Sequence, residues 1–424
     1  MKIFHTLLPI LFLIYCSCED EKESSEYLYD AINVNECSPI SGNTTKFVQS
    51  FGDSGAEKIL CVQQTTDDGF VMVGWMHNPE SSSDAWFIKT DSEGNEQWNK
   101  TFDGNYFNDI GNTDHAKYVH QTADGGYSIV GFQSLTLGDH QNHDDVWLIK
   151  TDSQGNVEWD YTYGTAGGSW DNQQGMCHQL TSDGGYIIVG DSDDGGPNTT
   201  SSEILLLKVD SQGDQEWIKT FGGSQNDYGR FVQETQDGGY ILTGYTYSFG
   251  SGETDIILIK TDANGNEEWY KTYGGISGDQ GYFLLLATDG GYVFGGGTSS
   301  FGSGETDAWV IKTDYDGNVQ WEKTYGGEFG DWAYSCQYVY DGGYIIGGFT
   351  NQNGIYNTWL LKIDEQGNME WSRGIGGDNI DICYSVQQTS DCGFVIAGQT
   401  YSFGDKQGLI VKTDPDGNTV PFGN

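Results

Sequence analysis

The sequence predicts an all-β fold, a seven-bladed β-propeller of four-stranded antiparallel blades. Its 424 residues repeat one pattern seven times, anchored on the aromatic after a tight turn at Phe70, Tyr127, Tyr186, Tyr240, Tyr292, Tyr344 and Phe394, with a glycine four residues later in every copy. The two ends are complementary. Residues 45–52 match the segment that follows the second turn elsewhere, with Phe47 in the tryptophan position, and the seventh copy stops short, with Pro421 where tryptophan should stand. A ring closed by joining both ends in one blade requires this offset, whereas an open solenoid requires capping units. The 62 glycines against 6 prolines, with 14% aromatics, fit short strands and many turns around one large core.

The fourth copy shows each element most plainly, with residues 237–269 reading DGGYILTGYTYSFGSGETDIILIKTDANGNEEW. A first strand, 230–235, precedes the DGG turn and a second, 240–243, follows it. The third, 256–259, is an unbroken apolar run, as expected of a strand packed between neighbouring blades on both faces. The fourth, 267–272, follows the second turn. Asp and Gly in both turns supply the positive φ that tight hairpins need. Lysine ends every third strand, at Lys89, Lys150, Lys208, Lys260, Lys312, Lys362 and Lys412, and is expected to pair with turn aspartates because buried lysine seldom stays unpaired. The two tight turns share one end of every blade. The long, variable connections share the other, so function is expected on that long-loop face.

Upstream, residues 1–17 read as a lipoprotein-type signal peptide, its apolar segment 4–15 being too short to cross a bilayer. Ser17-Cys18 resembles a bacterial lipidation site, with Cys18 favoured and Cys16 as the alternative. Residues 18–44 are an acidic tether without periodicity, and 45–424 form the propeller. The expectation is an exported chain, lipid-anchored at an outer membrane or cell surface.

Nineteen basic residues stand against 62 acidic ones, a net charge of −43. Twelve of the basic residues occupy repeat positions, the seven lysines above with Lys100, Lys219, Lys271, Lys323 and Arg373, which leaves few for a cationic patch. Nucleic acid and anionic lipid are thereby excluded as partners of a basic surface, membrane contact is expected through the anchor alone, and the chain is expected to be a monomer.

Several groups on the long-loop face are candidates. Glu57, Asp114, Asp227, Asp279, Asp331 and Asp381, with Gln173 in the third copy, open the first strands and would encircle the channel mouth. They read either as loop caps or as a cation or polar-ligand site, with calcium as the ion. A second acidic position, Asp84, Asp145, Glu203, Asp255 and Asp307, reads as a loop anchor, and the DYDGN and DPDGN turns at Asp314 and Asp414 read as hairpins rather than calcium loops. His77, His115, His140 and His143 break the repeat beside Asp114 and form a candidate transition-metal group. Trp75, Trp170, Trp332 and Tyr228 are aromatics outside core positions, suited to stacking on sugar rings beside Asp227, Asp279, Asp331 and Asp381. Cys392 replaces the middle glycine of the seventh DGG turn and Cys37 precedes the strand that closes the same blade, so the two are a candidate disulfide.

The pattern DGGYxxxGxTxSFGxGxxDxWxIKTDxxGNxxWxKTxGG resembles a propeller repeat of secreted and lipid-anchored bacterial and archaeal proteins, some of which carry an endoglucanase label. The resemblance runs from Thr45 to Asn418, and the DxxGxxxW portion is similar, at the level of architecture, to quinoprotein-type propellers. It implies a surface binding propeller taking polysaccharide or a surface protein, with a carbohydrate-active enzyme as the alternative, and it transfers no catalytic residue. A symmetric acidic ring suits catalysis poorly, since an acid and a base need differently tuned carboxyls.

Overall fold

The computed structural model describes Cys37 and residues 44–52, 55–78, 82–103, 113–136, 142–164, 172–193, 201–352 and 354–422. The leader with Cys16 and Cys18, most of the tether, Trp170 and His140 lie outside the described residues.

Twenty-eight strands form seven four-stranded antiparallel sheets arranged as a β-propeller. The first strand among the described residues is β1 (Phe47–Phe51), and the first blade follows as β2 (Lys58–Gln64), β3 (Phe70–Asn78), β4 (Ser82–Thr90) and β5 (Glu96–Phe102). In the last blade β1 is the outer strand, pairing with Gln407–Thr413 in the register Phe47↔Lys412 to Phe51↔Gly408. The ring therefore closes within one blade, as the offset of the two ends requires. Cys37 and Cys392 are bonded across that closure, S–S 2.18 Å, joining positions 355 residues apart.

Third strands are buried on both faces, without exception along Asp255–Thr261 and Asp307–Thr313. Apolar side chains from adjacent sheets interleave there, as where Ile256, Leu258 and Ile241 meet Leu284, Phe294 and Trp309. Each such side chain withdrawn from water is worth about 1.5–3 kcal/mol. Outer strands alternate instead, with Glu267, Glu268 and Tyr270 facing solvent.

Turn chemistry repeats around the ring. In the DGG turns Gly238 takes φ +78°, its N–H donates to the Thr235 carbonyl at 2.8 Å, and Lys260 reaches Asp237 at 2.9 Å. All seven third-strand lysines make this pair, at 2.7–3.0 Å. In the second turn Asp262 Oδ1 accepts from the N–H groups of Asn264 and Asn266, both at 2.8 Å. Asp314 and Asp414 accept likewise from Asn318 and Asn418, so these carboxylates serve hairpins.

Blades are stapled near the axis by glutamines. Gln63, Gln179, Gln233, Gln337 and Gln387 each accept through Oε1 from a backbone N–H of the next blade, at 2.6–2.9 Å. The strands of the fourth blade depart from the sequence reading in their bounds, the second running to Thr246 and the third over Asp255–Thr261. The innermost strand of the fourth blade begins at Asp227, not at residue 230, and carries a bulge between Gly229 and Phe231.

Candidate functional site

That bulge recurs in all seven innermost strands, and the repeated second-strand glycine faces it. A Cβ on Gly244 would stand 1.8 Å from the Tyr228 carbonyl oxygen, and Gly74, Gly131, Gly190, Gly348 and Gly398 are crowded equally. Only glycine lets the two backbones approach so closely. The extra residue is squeezed out of the ladder, and it is Leu60, Lys117, Met176, Arg230, Tyr282, Tyr334 or Tyr384 according to the blade. These positions and the residue two before each are half-buried, with a buried residue between them in every strand, so the two share the face that looks toward the axis. Tyr118 and Phe231, next in sequence to the bulge, meet at 5.8 Å although the third blade stands between their own blades, which places both near the axis.

The predicted acidic ring does not line this face. Asp227, Asp279, Asp331 and Asp381 are at most 1% exposed and clasp the incoming loops. Asp227 accepts from the Gly223 N–H at 2.8 Å, from Ser248 Oγ at 2.7 Å and from the Thr246 hydroxyl. Asp279 and Asp381 repeat the set with Gly275, Ser300 and Thr298, and with Gly377, Ser402 and Thr400. Asp331 accepts from the N–H groups of Gly327 and Asn351. Burial pushes the Asp381 carboxyl up against those hydrogen bonds. Of the two readings offered for the ring, loop capping is the geometry observed, and these four carboxylates are not presented to a ligand.

The predicted metal group also separates. Asp114 and His115 are adjacent in a strand and point opposite ways. Asp114 is buried and accepts from the Ser134 N–H at 3.0 Å, whereas His115 stacks on Trp75 at 4.9 Å and lies 3.0 Å from Ser83 Oγ. His143 Nε2 is 3.8 Å from Asp145, and His77 is exposed. Among the described residues no three His, Cys, Asp or Glu side chains converge as metal ligands would.

Aromatics make up the wall instead. From Tyr245 the ring contacts run to Tyr282 at 6.2 Å, Tyr334 at 5.0 Å and Tyr384 at 5.4 Å, crossing from the fourth blade to the seventh. Trp332 lies 5.8 Å from Tyr282 and nearly parallel to Tyr334, over Gly297, where a Cβ would come within 2.6 Å of the indole. Tyr228 packs on Tyr245 at 5.0 Å. Trp332 and Tyr228 thus belong to one run of rings, while Trp75 stands apart from it, stacked on His115.

Four cations lie over aromatic faces, and sequence reasoning overlooked them. Arg230 donates to both Asp191 oxygens at 2.9 Å and lies over Tyr228 and Tyr245. Burial raises the Asp191 carboxyl against the pull of that guanidinium. Lys58 lies over Tyr384 at 4.7 Å, Lys117 over Phe132 at 5.2 Å and Lys406 over Trp75 at 4.8 Å. The signal was in the sequence: once the repeat lysines are set aside, these four remain with Lys2, Lys22 and Lys46, and Lys46 pairs with Asp414.

No family model matches the sequence. Over 157 residues the chain is 27% identical to the regulatory protein FlaEY of Caulobacter vibrioides, a match covering 32% of this chain and 16% of that protein. Among solved structures, puromycin hydrolase superposes with a TM-score of 0.50 at 13% identity, over 83% of this chain and 51% of the hydrolase. The Pan2 WD40 domain of Neurospora crassa superposes with the same score at 11% identity, over 90% of this chain and 99% of the domain. The chain spans about half the length of the hydrolase and a far smaller share of FlaEY, and at such identities the superpositions establish the fold alone.

Proposed function

We propose that the chain is a binding propeller that takes polysaccharide at the long-loop mouth of its channel, and that it does so at the cell surface on a lipid anchor. A propeller suits a binding role in general. The observation that carries the finer reading is the unbroken run of half-buried rings from Tyr228 and Tyr245 through Tyr282, Trp332 and Tyr334 to Tyr384. Such faces stack on the C–H surfaces of sugar rings while nearby polar groups bond hydroxyls. The anchor rests on the leader and on Cys18, or Cys16, alone.

Affinity gel electrophoresis against algal, plant and microbial polysaccharides tests the reading. Retardation by at least one polymer, lost in Trp332→Ala, is the expected result. Uniform mobility across the panel would overturn it and turn the search to a protein partner.

A further inference from the structure

We propose that the channel mouth recognises the acid group of an anionic glycan, a carboxylate or sulfate ester borne on a sugar, through Lys58, Lys117 and Lys406. The proposal rests on the glycan reading above and specifies its substrate class.

A chain of net charge −43 has little reason to gather cations at one point. Yet of its seven basic residues outside repeat positions, four line this wall. Arg230 is neutralised by Asp191. The other three differ. Each third-strand lysine has its aspartate, whereas Lys58, Lys117 and Lys406 have no carboxylate within ion-pair distance among the described residues and rest on aromatic faces. A half-buried ammonium pays desolvation that an aromatic face offsets in part and a counter-charge more fully, so an incoming anion supplies what these lysines lack.

The lysines stand close enough to act on one another and on His115. Burial, then the neighbouring Lys406, brings Lys58 down to about 8. Burial, then Arg230 and Lys58, does the same to Lys117, against the opposing pull of Asp191 and Asp144. His115 is pushed down to about 3 by burial and by Lys117, Lys58 and Lys406, so it stands neutral under Trp75. Asp144 accepts from Ser134 Oγ and Gln174 Nε2, Asp191 holds Arg230, and Glu57 accepts from the Gly55 N–H; Asp144 and Asp191 act on Lys117, and Glu57 on Lys406, only from beyond ion-pair distance. Half-buried surroundings strengthen the attraction of an anion to the three lysines, and screening over about 8 Å at physiological salt weakens repulsion from more distant carboxylates. An acidic sugar would stack on Trp332 and the tyrosines while its acid group reaches the lysines.

Titration calorimetry of the full chain with polygalacturonate, a sulfated carrageenan, laminarin and xylan tests this. The expected result is binding of an acidic polymer, weakening as salt rises, with Lys117→Gln and Lys406→Gln each costing roughly tenfold in affinity. Preference for polygalacturonate or for carrageenan then separates carboxylate from sulfate recognition. Binding of the neutral polymers alone, or unchanged affinity in both lysine variants, overturns the proposal and leaves the glycan reading standing. Failure of all four polymers removes both. Lys117→Gln is expected to melt no lower than the unaltered chain, because it relieves a charge without a partner; a lowered Tm would show a structural role and count against the proposal.

Discussion

Replacing Gly244 by alanine should do more damage than its single methyl suggests. The added Cβ would lie 1.8 Å from the Tyr228 oxygen, 2.9 Å from its carbonyl carbon and 3.1 Å from Gly229 Cα, all of them backbone atoms that no rotamer change can clear. Ordinary contact begins near 3.4 Å, so the innermost strand must retreat by about 1.6 Å. That movement opens the bulge and draws Arg230 off Asp191. Overpacking costs about 1–3 kcal/mol and the loosened charge pair adds to it, for a total of about 4 kcal/mol. Two controls set the scale. Gly330→Ala meets no heavy atom within 4 Å at an ordinary φ and should fall within about 0.5 kcal/mol of the unaltered chain. Gly125→Ala also meets nothing but sits at φ +81°, and should cost about 1 kcal/mol. Urea unfolding followed by circular dichroism gives the order of midpoints. A Gly244→Ala midpoint equal to that of Gly330→Ala would refute the claim that this glycine shapes the bulge.

The turn aspartates make stability acid-sensitive. Burial raises them, but hydrogen bonds from lysine and a backbone N–H, joined by a threonine hydroxyl at Asp67, Asp124 and Asp183, win, holding Asp67, Asp183 and Asp289 below the usual range and Asp124 at about 2. A depressed carboxyl stabilises above its unfolded pKa and loses that contribution as pH falls through the folded value, so the melting temperature should drop between about pH 4 and 2; a flat profile there would contradict the pairing. Lys117 works in the opposite sense: its folded pKa of about 8 lies below the 10.5 of an ordinary lysine, the unfolded chain binds more protons between the two, and stability should rise with pH across that window by an increment absent in Lys117→Gln. Cys37→Ser should cost about 2–4 kcal/mol by freeing a closure that spans 355 residues, and peptide mapping that found Cys37 and Cys392 as free thiols in the unaltered chain would remove the staple. Trp332→Ala should weaken glycan affinity roughly tenfold, about 1.4 kcal/mol, while leaving the fold intact by circular dichroism.

Sevenfold repetition made the propeller, its blade order and its closure readable, because turn residues and apolar runs report local geometry wherever they recur. The lysine–aspartate pairs followed from the same logic. The acidic ring was visible as a pattern, but facing could not be assigned without the bulge: one extra residue shifts which side chains meet the axis, and Asp227 turns into the blade while Tyr228 and Arg230 turn out. The repeated glycine was read as a marker, whereas its effect lies in the backbone approach it permits. Lys58, Lys117, Arg230 and Lys406 come from four separate copies of the repeat and converge only once the ring is closed. Counting them as leftovers concealed that convergence.

Hydroxyl-radical footprinting of the full chain, with and without saturating polymer, tests directly that the channel mouth is the binding surface. The account predicts that Trp332, Tyr228, Tyr334 and Tyr384 are protected on binding while the exposed Tyr161 and Tyr315 react as before. Protection of Tyr161 and Tyr315 with the mouth residues unchanged would place the ligand elsewhere and contradict it.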